Sequence, residues 1–173
     1  MFEKEAPETK LRDKFWDSLK SDRTVMLGLK GGEDDRTRPM TALVDRGADD
    51  RGEPTIYFFG SKTDGIGQDI QRSARAVAAF ASKGHDMFAH IHGTLSPSDD
   101  RAVIDRLWNP IIGSWYKDGK DDPDLQLIRF DAEKADVWEA SQFATLKAAA
   151  LKMMFNIDPG KEHQDDHQAT VQL

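Results

Sequence analysis

With 173 residues, 38% of them hydrophobic and 32% charged, the chain has enough apolar mass for one domain with its own core beneath an unusually charged surface. A formal net charge of −7 without a basic stripe argues against nucleic acid as a partner. The absence of cysteine excludes disulfides, zinc–thiolate and iron–sulfur sites and thiol catalysis, and no apolar run approaches the ~20 residues that span a bilayer.

The opening residues lack the profile of a secretory signal, which points to the cytoplasm. Residues 1–9 read as a flexible arm. Thr9 is placed to cap a helix over 10–20, where Leu11, Phe15 and Leu19 recur every four residues. Strands are expected at 24–29 and 37–44, joined as a hairpin through Gly31, Gly32 and an acidic turn. Pro39 lacks an amide donor and belongs at an edge, a bulge or a strand opening. An aromatic strand follows at 55–59, then a short helix capped by Thr63 or Asp64 and running through Ile66 and Ile70.

Further strands are expected at 75–82 and 88–95. Ser96-Pro97-Ser98 reads as the opening of a helix through Val103, Ile104 and Leu107, broken at Trp108-Asn109-Pro110. Two last strands, 125–131 and 134–139, precede an amphipathic helix over 142–155. A polar tail, 159–173, ends in one more short strand at 170–173. About seven short strands that follow one another without helical crossovers fit a mainly β architecture with flanking helices, a small barrel rather than an open α/β sheet.

The chemistry concentrates on two strand ends. Arg38 stands beside Pro39, Met40 and Thr41, while Ser61 and Lys62 follow Tyr57, Phe58, Phe59 and Gly60. A guanidinium, an ammonium and two hydroxyls on neighbouring strands can chelate a phosphate dianion, and the adjacent aromatic run suits a planar ligand such as flavin mononucleotide. Other motifs are weaker. Gly65-Ile66-Gly67 is too short for a dinucleotide fingerprint. His90 and His92 share one strand face without a third metal ligand, so they are assigned to polar lining of the barrel or cofactor site, and no metal site is expected. His163 and His167 fall in the solvated tail, the acidic clusters read as turns, and Trp16 and Trp138 as packing. No serine has a nucleophile-elbow context, so no catalytic residue is assigned.

Five segments in order resemble the pyridoxamine 5'-phosphate oxidase-like superfamily of FMN-binding split barrels, in its general stress protein branch. They are Arg38-Pro39-Met40-Thr41, Phe58-Phe59-Gly60-Ser61-Lys62-Thr63-Asp64, Ile104-Asp105-Arg106-Leu107-Trp108-Asn109-Pro110, Asp121-Asp122-Pro123-Asp124-Leu125 and Ala135-Asp136-Val137-Trp138. The resemblance implies that 10–158 form an FMN-binding split-barrel domain of six strands, assembled as a homodimer with two FMN sites at its interface. It further implies cofactor contacts from Arg38, Met40, Thr41, Phe59, Ser61, Lys62 and Gln68, with Trp108 and Trp115 closing the ring side from the partner chain. Relatives often carry a lysine where Ile66 or Gly67 stands here, and Lys62 is the substitute expected to supply that charge.

Three functional readings stay open. The first is a flavin-dependent oxidoreductase of unknown substrate, in which the flavin carries the chemistry. The second is a noncatalytic, flavin-buffering stress protein. The third is a split-barrel scaffold that has lost its cofactor or binds haem or a deazaflavin. An arginine–histidine pair of the kind expected near the end of pyridoxamine-phosphate oxidases is missing from Ala169-Thr170-Val171-Gln172-Leu173.

Overall fold

The computed structural model describes residues 7–31, 36–70, 74–140 and 168–173. A 16-residue helix, α1 (Pro7–Asp22), leads into β1 (Thr24–Leu29), β2 (Thr37–Thr41) and β3 (Leu43–Asp45). Then come β4 (Thr55–Ser61), the short α2 (Gly65–Asp69), β5 (Ala74–Ala81) and β6 (Met87–Ser98). The remainder is α3 (Arg101–Leu107), α4 (Pro110–Gly113), a 3-10 turn (Gly119–Asp121), β7 (Leu125–Glu139) and β8 (Gln168–Gln172). No helix among the described residues is long and apolar enough to cross a membrane.

All strand pairs are antiparallel, and the order is β2-β1-β5-β6-β7-β4-β3. The two ends of that path, β2 and β3, are consecutive in the chain and separated only by Ala42, so the sheet curls until its ends meet. The strand expected at 37–44 is thus two short strands with different partners. Its first half pairs with β1 and its second with β4, and the break falls at Ala42, whose amide donates to the Arg23 carbonyl at 2.6 Å. β7 divides in the same way, pairing with β4 along Leu125 to Phe130 and with β8 along Lys134 to Trp138.

Other boundaries differ from the sequence-based expectation for local reasons. The helix α1 starts at Pro7, upstream of Thr9. Ser96, Pro97 and Ser98 continue β6 instead of opening a helix. β5 begins opposite Leu95, and beyond that point β6 pairs, among the described residues, with β7 alone, so Pro97 has a strand on one side only, where a missing amide is tolerated. The helix begins three residues later, where the Asp100 carboxylate accepts from the amides of Ala102 and Val103. The two strands expected at 125–131 and 134–139 are one. His92 faces Lys134 and Gly93 faces Ala132, which leaves Glu133 as a bulge that keeps the ladder intact. The final strand starts at Gln168, earlier than 170, and the helix expected over 142–155 lies outside the described residues.

Period-two alternation fills the interior. Val25 and Leu27, Ala76, Ala78 and Phe80, Ala89 and Ile91, Phe130, Ala135 and Val137 all point inward. Phe15, Trp16 and Leu19 of α1 close one end, while Ile66 and Ile70 pack against the same core from α2. Each of the buried Val, Leu, Ile and Phe side chains contributes about 1.5–3 kcal/mol. A second cluster lies on the other face of β4, where Tyr57 and Phe59 meet Val103 and Ile104 of α3, then Ile112 and Tyr116. β4 is therefore buried on both faces, which explains its continuous aromatic run.

Candidate functional site

The corner where β2 passes over α2 carries the most distinctive polar geometry. On β2, Arg38 and Met40 are half-buried, whereas Thr37, Pro39 and Thr41 are exposed. Met40 packs on the main core. The Arg38 guanidinium reaches over Gly65, where a side-chain carbon would sit 3.3 Å from Nη1, and Gly65 has φ +59°. The Nη1 atom is buried and makes no hydrogen bond among the described residues. A carboxylate oxygen of Asp69, at the end of α2, lies 3.5 Å away.

The strap that carries Gly65 is held from the side. Beyond β4 the Lys62 amide donates to the Asp124 carbonyl at 2.8 Å. The amide and hydroxyl of Thr63 donate to Asp124 Oδ1 at 3.1 and 2.8 Å, and Ser61 Oγ accepts from the Thr63 amide at 3.1 Å. Hydrogen bonding from the Ser61 hydroxyl, then from Thr63, holds the Asp124 carboxyl below the usual carboxylate range. Asp64 caps α2 by accepting from the Gly65 amide at 2.7 Å. Gly67 then packs on the strand end so tightly that a side-chain carbon would lie 2.0 Å from the Ser61 carbonyl oxygen. A lysine therefore cannot stand at 67, and Ile66 is buried in the core.

Aromatic residues expected beside a planar ligand are mostly interior. Phe58 lies in the main core, and Phe59 packs edge-on against Trp108 with ring centres 5.8 Å apart. Trp108 in turn lies 6.0 Å from Tyr116, whose hydroxyl donates to the Gly60 carbonyl at 2.8 Å. Burial pushes the Tyr116 phenol up to about 12, so it stays a neutral donor at physiological pH. Trp115 and Ile111, by contrast, are 54% and 70% exposed.

The structure thus brings Arg38 together with α2, on which Gln68 is exposed, sets Met40 against the main core, and brings Phe59 together with Trp108. Thr41 is exposed on the opposite face of β2. The Ser61 and Thr63 hydroxyls are engaged by Asp124. Lys62 lines a separate cavity of about 550 Å³ with Ser98, Arg101, Lys120 and Gln126, in which Arg38 takes no part. Asp69 and Asp124 were not anticipated as site residues. Asp124 had a signal, since it stands in the Asp121-Asp122-Pro123-Asp124-Leu125 motif; Asp69 had none.

The histidines do not line the barrel. Ala89 and Ile91 take the inward positions of β6, which turns His90 and His92 outward. Their rings lie 4.6 Å apart. His92 lies between Lys30 Nζ, 3.4 Å from Nδ1, and Asp136 Oδ2, 3.5 Å from Nε2. Desolvation, then the neighbouring His90, lowers its pKa, and the Asp136 contact opposes that shift. Among the described residues no group of three or more histidine or acidic side chains could hold a metal ion. His163 and His167 lie outside the described residues.

The curled sheet, its split strands and its flanking helices define a split barrel. The profile of the family described as pyridoxamine 5'-phosphate oxidase like matches residues 10–159, and the chain belongs to that family. Among solved structures it is similar to the general stress FMN/FAD binding protein from the phytopathogen Xanthomonas citri. That match has 47% identity and a TM-score of 0.70, and covers 78% of this chain and 92% of the other. A general stress family protein from Xanthomonas campestris pv. campestris is 48% identical with a TM-score of 0.71, over 80% and 92% of the two chains. General stress protein 26 from Jannaschia sp. CCS1 is 27% identical with a TM-score of 0.76, over 96% and 99%. No curated protein matches the chain.

Proposed function

We propose that this protein binds a flavin nucleotide, FMN, with its phosphate on Arg38, and that two chains pair to enclose the ring. The observation that carries the reading is the buried Arg38 Nη1 without a hydrogen-bond partner among the described residues. A buried N–H left unpaired costs about 1–3 kcal/mol, and a phosphate oxygen would remove that cost with a charge-assisted bond. Gly65, having no side chain, lets the guanidinium approach the strap closely, since a side-chain carbon there would lie 3.3 Å from Nη1. The similarity to the Xanthomonas citri FMN/FAD binding protein supports the same ligand class.

Bound there, a flavin would supply hydride or single-electron transfer. The chain's own part is positional. Arg38 anchors the phosphate, Met40 offers apolar surface beside it, and the strap clamped by Asp124 keeps Gly65 beneath the guanidinium. The exposed Ile111 and Trp115 offer apolar surface suited to cover by a second copy.

The test is the visible spectrum of the purified protein before and after FMN is added and the excess removed. Retained, shifted flavin bands support the reading, and a colourless protein that cannot retain FMN overturns it. Anaerobic addition of NADH or NADPH then separates the two flavin readings. Rapid bleaching identifies an oxidoreductase, and persistence of the oxidised bands identifies a protein that holds flavin without using those donors.

A further inference from the structure

We propose that Asp69 determines which flavin nucleotide the Arg38 corner prefers, by opposing the charge of the ligand's phosphate. The inference rests on the reading that Arg38 binds that phosphate. Asp69 Oδ2 stands 3.5 Å from Arg38 Nη1, within ion-pair distance, yet the N–H has no hydrogen-bond partner among the described residues. The carboxylate therefore opposes the guanidinium's charge without occupying its donor.

Among the described residues, the neighbouring positions do not restore that charge. Lys62 lines a different cavity, Gly67 has no room for any side chain, and Ile66 is buried. Among the described residues, a phosphate arriving at Arg38 thus meets a guanidinium and a carboxylate together.

Ligand charge then decides the consequence. The terminal monoester of FMN carries about −1.5 to −2 near neutral pH, whereas each phosphate in the diester chain of FAD carries one negative charge. Against a lone guanidinium the doubly charged group gains more. Against the Arg38–Asp69 pair most of that advantage disappears, because repulsion from Asp69 grows with the same charge. Asp69 is therefore a specificity-determining residue that narrows the preference for a monoester over a diester and admits FAD-type nucleotides beside FMN.

The experiment titrates the wild-type protein, Asp69→Asn and Asp69→Ser with riboflavin, FMN and FAD, following flavin fluorescence at fixed ionic strength. Both variants should bind FMN more tightly by about three- to tenfold, bind FAD more tightly by less, and leave riboflavin unchanged. Added salt should shrink the difference. If both leave the FMN-to-FAD affinity ratio unchanged, or weaken FMN more than FAD, Asp69 merely braces Arg38 and the inference fails. Arg38→Ala separates the two levels. Unchanged FMN affinity in that variant overturns the phosphate reading itself, whereas weakened FMN binding there with an unchanged ratio in the Asp69 variants overturns the Asp69 inference alone.

Discussion

Gly67 and the Ser61 carbonyl pack so closely that a side-chain carbon on Gly67 would lie 2.0 Å from the Ser61 oxygen and 2.9 Å from its carbon. Both obstructing atoms are backbone, so relief requires moving α2 away from the end of β4. Gly67→Ala should therefore lower stability by about 2–3 kcal/mol. It should also shift the strap beneath Arg38 and abolish flavin retention. Gly65→Ala should cost less, about 1 kcal/mol, because its obstacle is the end of a flexible arginine and the main penalty is the positive φ. Urea unfolding of the two variants ranks them, and the reverse order would show that the strap adjusts freely.

Arg38 and Lys62 should separate on mutation. Arg38→Ala removes a charge-assisted phosphate contact and should weaken FMN about ten- to hundredfold. Lys62→Ala should have a much smaller effect, since Lys62 lines the cavity beside Arg101 and Lys120. Equal losses in fluorescence titrations would mean that both cations reach one phosphate.

Asp124 should govern the order of the Ser61–Thr63 segment. Asp124→Ala removes the acceptor for the Thr63 amide and hydroxyl. Amide exchange read by mass spectrometry should speed up in the peptide over 60–67, with Asp124→Asn intermediate. Because its neighbours hold the Asp124 carboxyl below the usual range, the clamp should survive mild acid and fail only as the pH falls through that lowered value. Exchange that is indifferent to both variants would remove Asp124 from the positioning role.

Arg106 fixes α3 to the sheet through two bonds to Asp45, Nε to Oδ1 at 3.1 Å and Nη2 to Oδ2 at 2.8 Å. The Arg106 hydrogen bond is the largest cause of a lowered Asp45 pKa, and burial opposes it. A carboxyl with a folded-state pKa below its unfolded value of about 3.9 stabilises the protein fully above that value. The contribution disappears as the pH falls through the folded value. Asp45→Asn should thus lose about 1–3 kcal/mol at neutral pH and little relative to wild type in strong acid. A stability difference independent of pH would contradict the assignment.

Local pattern was a sufficient guide for elements whose surroundings agree with it. β1 spans Thr24–Leu29 in both sequence and structure, and β5 and β6 keep the inward alternation of Ala76, Ala78, Phe80, Ala89 and Ile91. The sequence also marked Arg38 as a phosphate candidate and carried enough ordered motifs to indicate a split barrel. Only the tertiary structure decided that Pro97 could stay in a strand, because that depends on how far β6 runs along β7 past its described pairing with β5. Only it showed that 125–139 is a single strand, because the Glu133 bulge is defined by its partners. It alone joined Asp124 to Thr63 across 61 residues and set Asp69 beside Arg38, while leaving Lys62 facing another cavity. Periodicity determines which face of its own strand or helix a side chain occupies. Which charges then meet depends on the curl that brings β2 across α2, and on contacts between segments that no local spacing encodes.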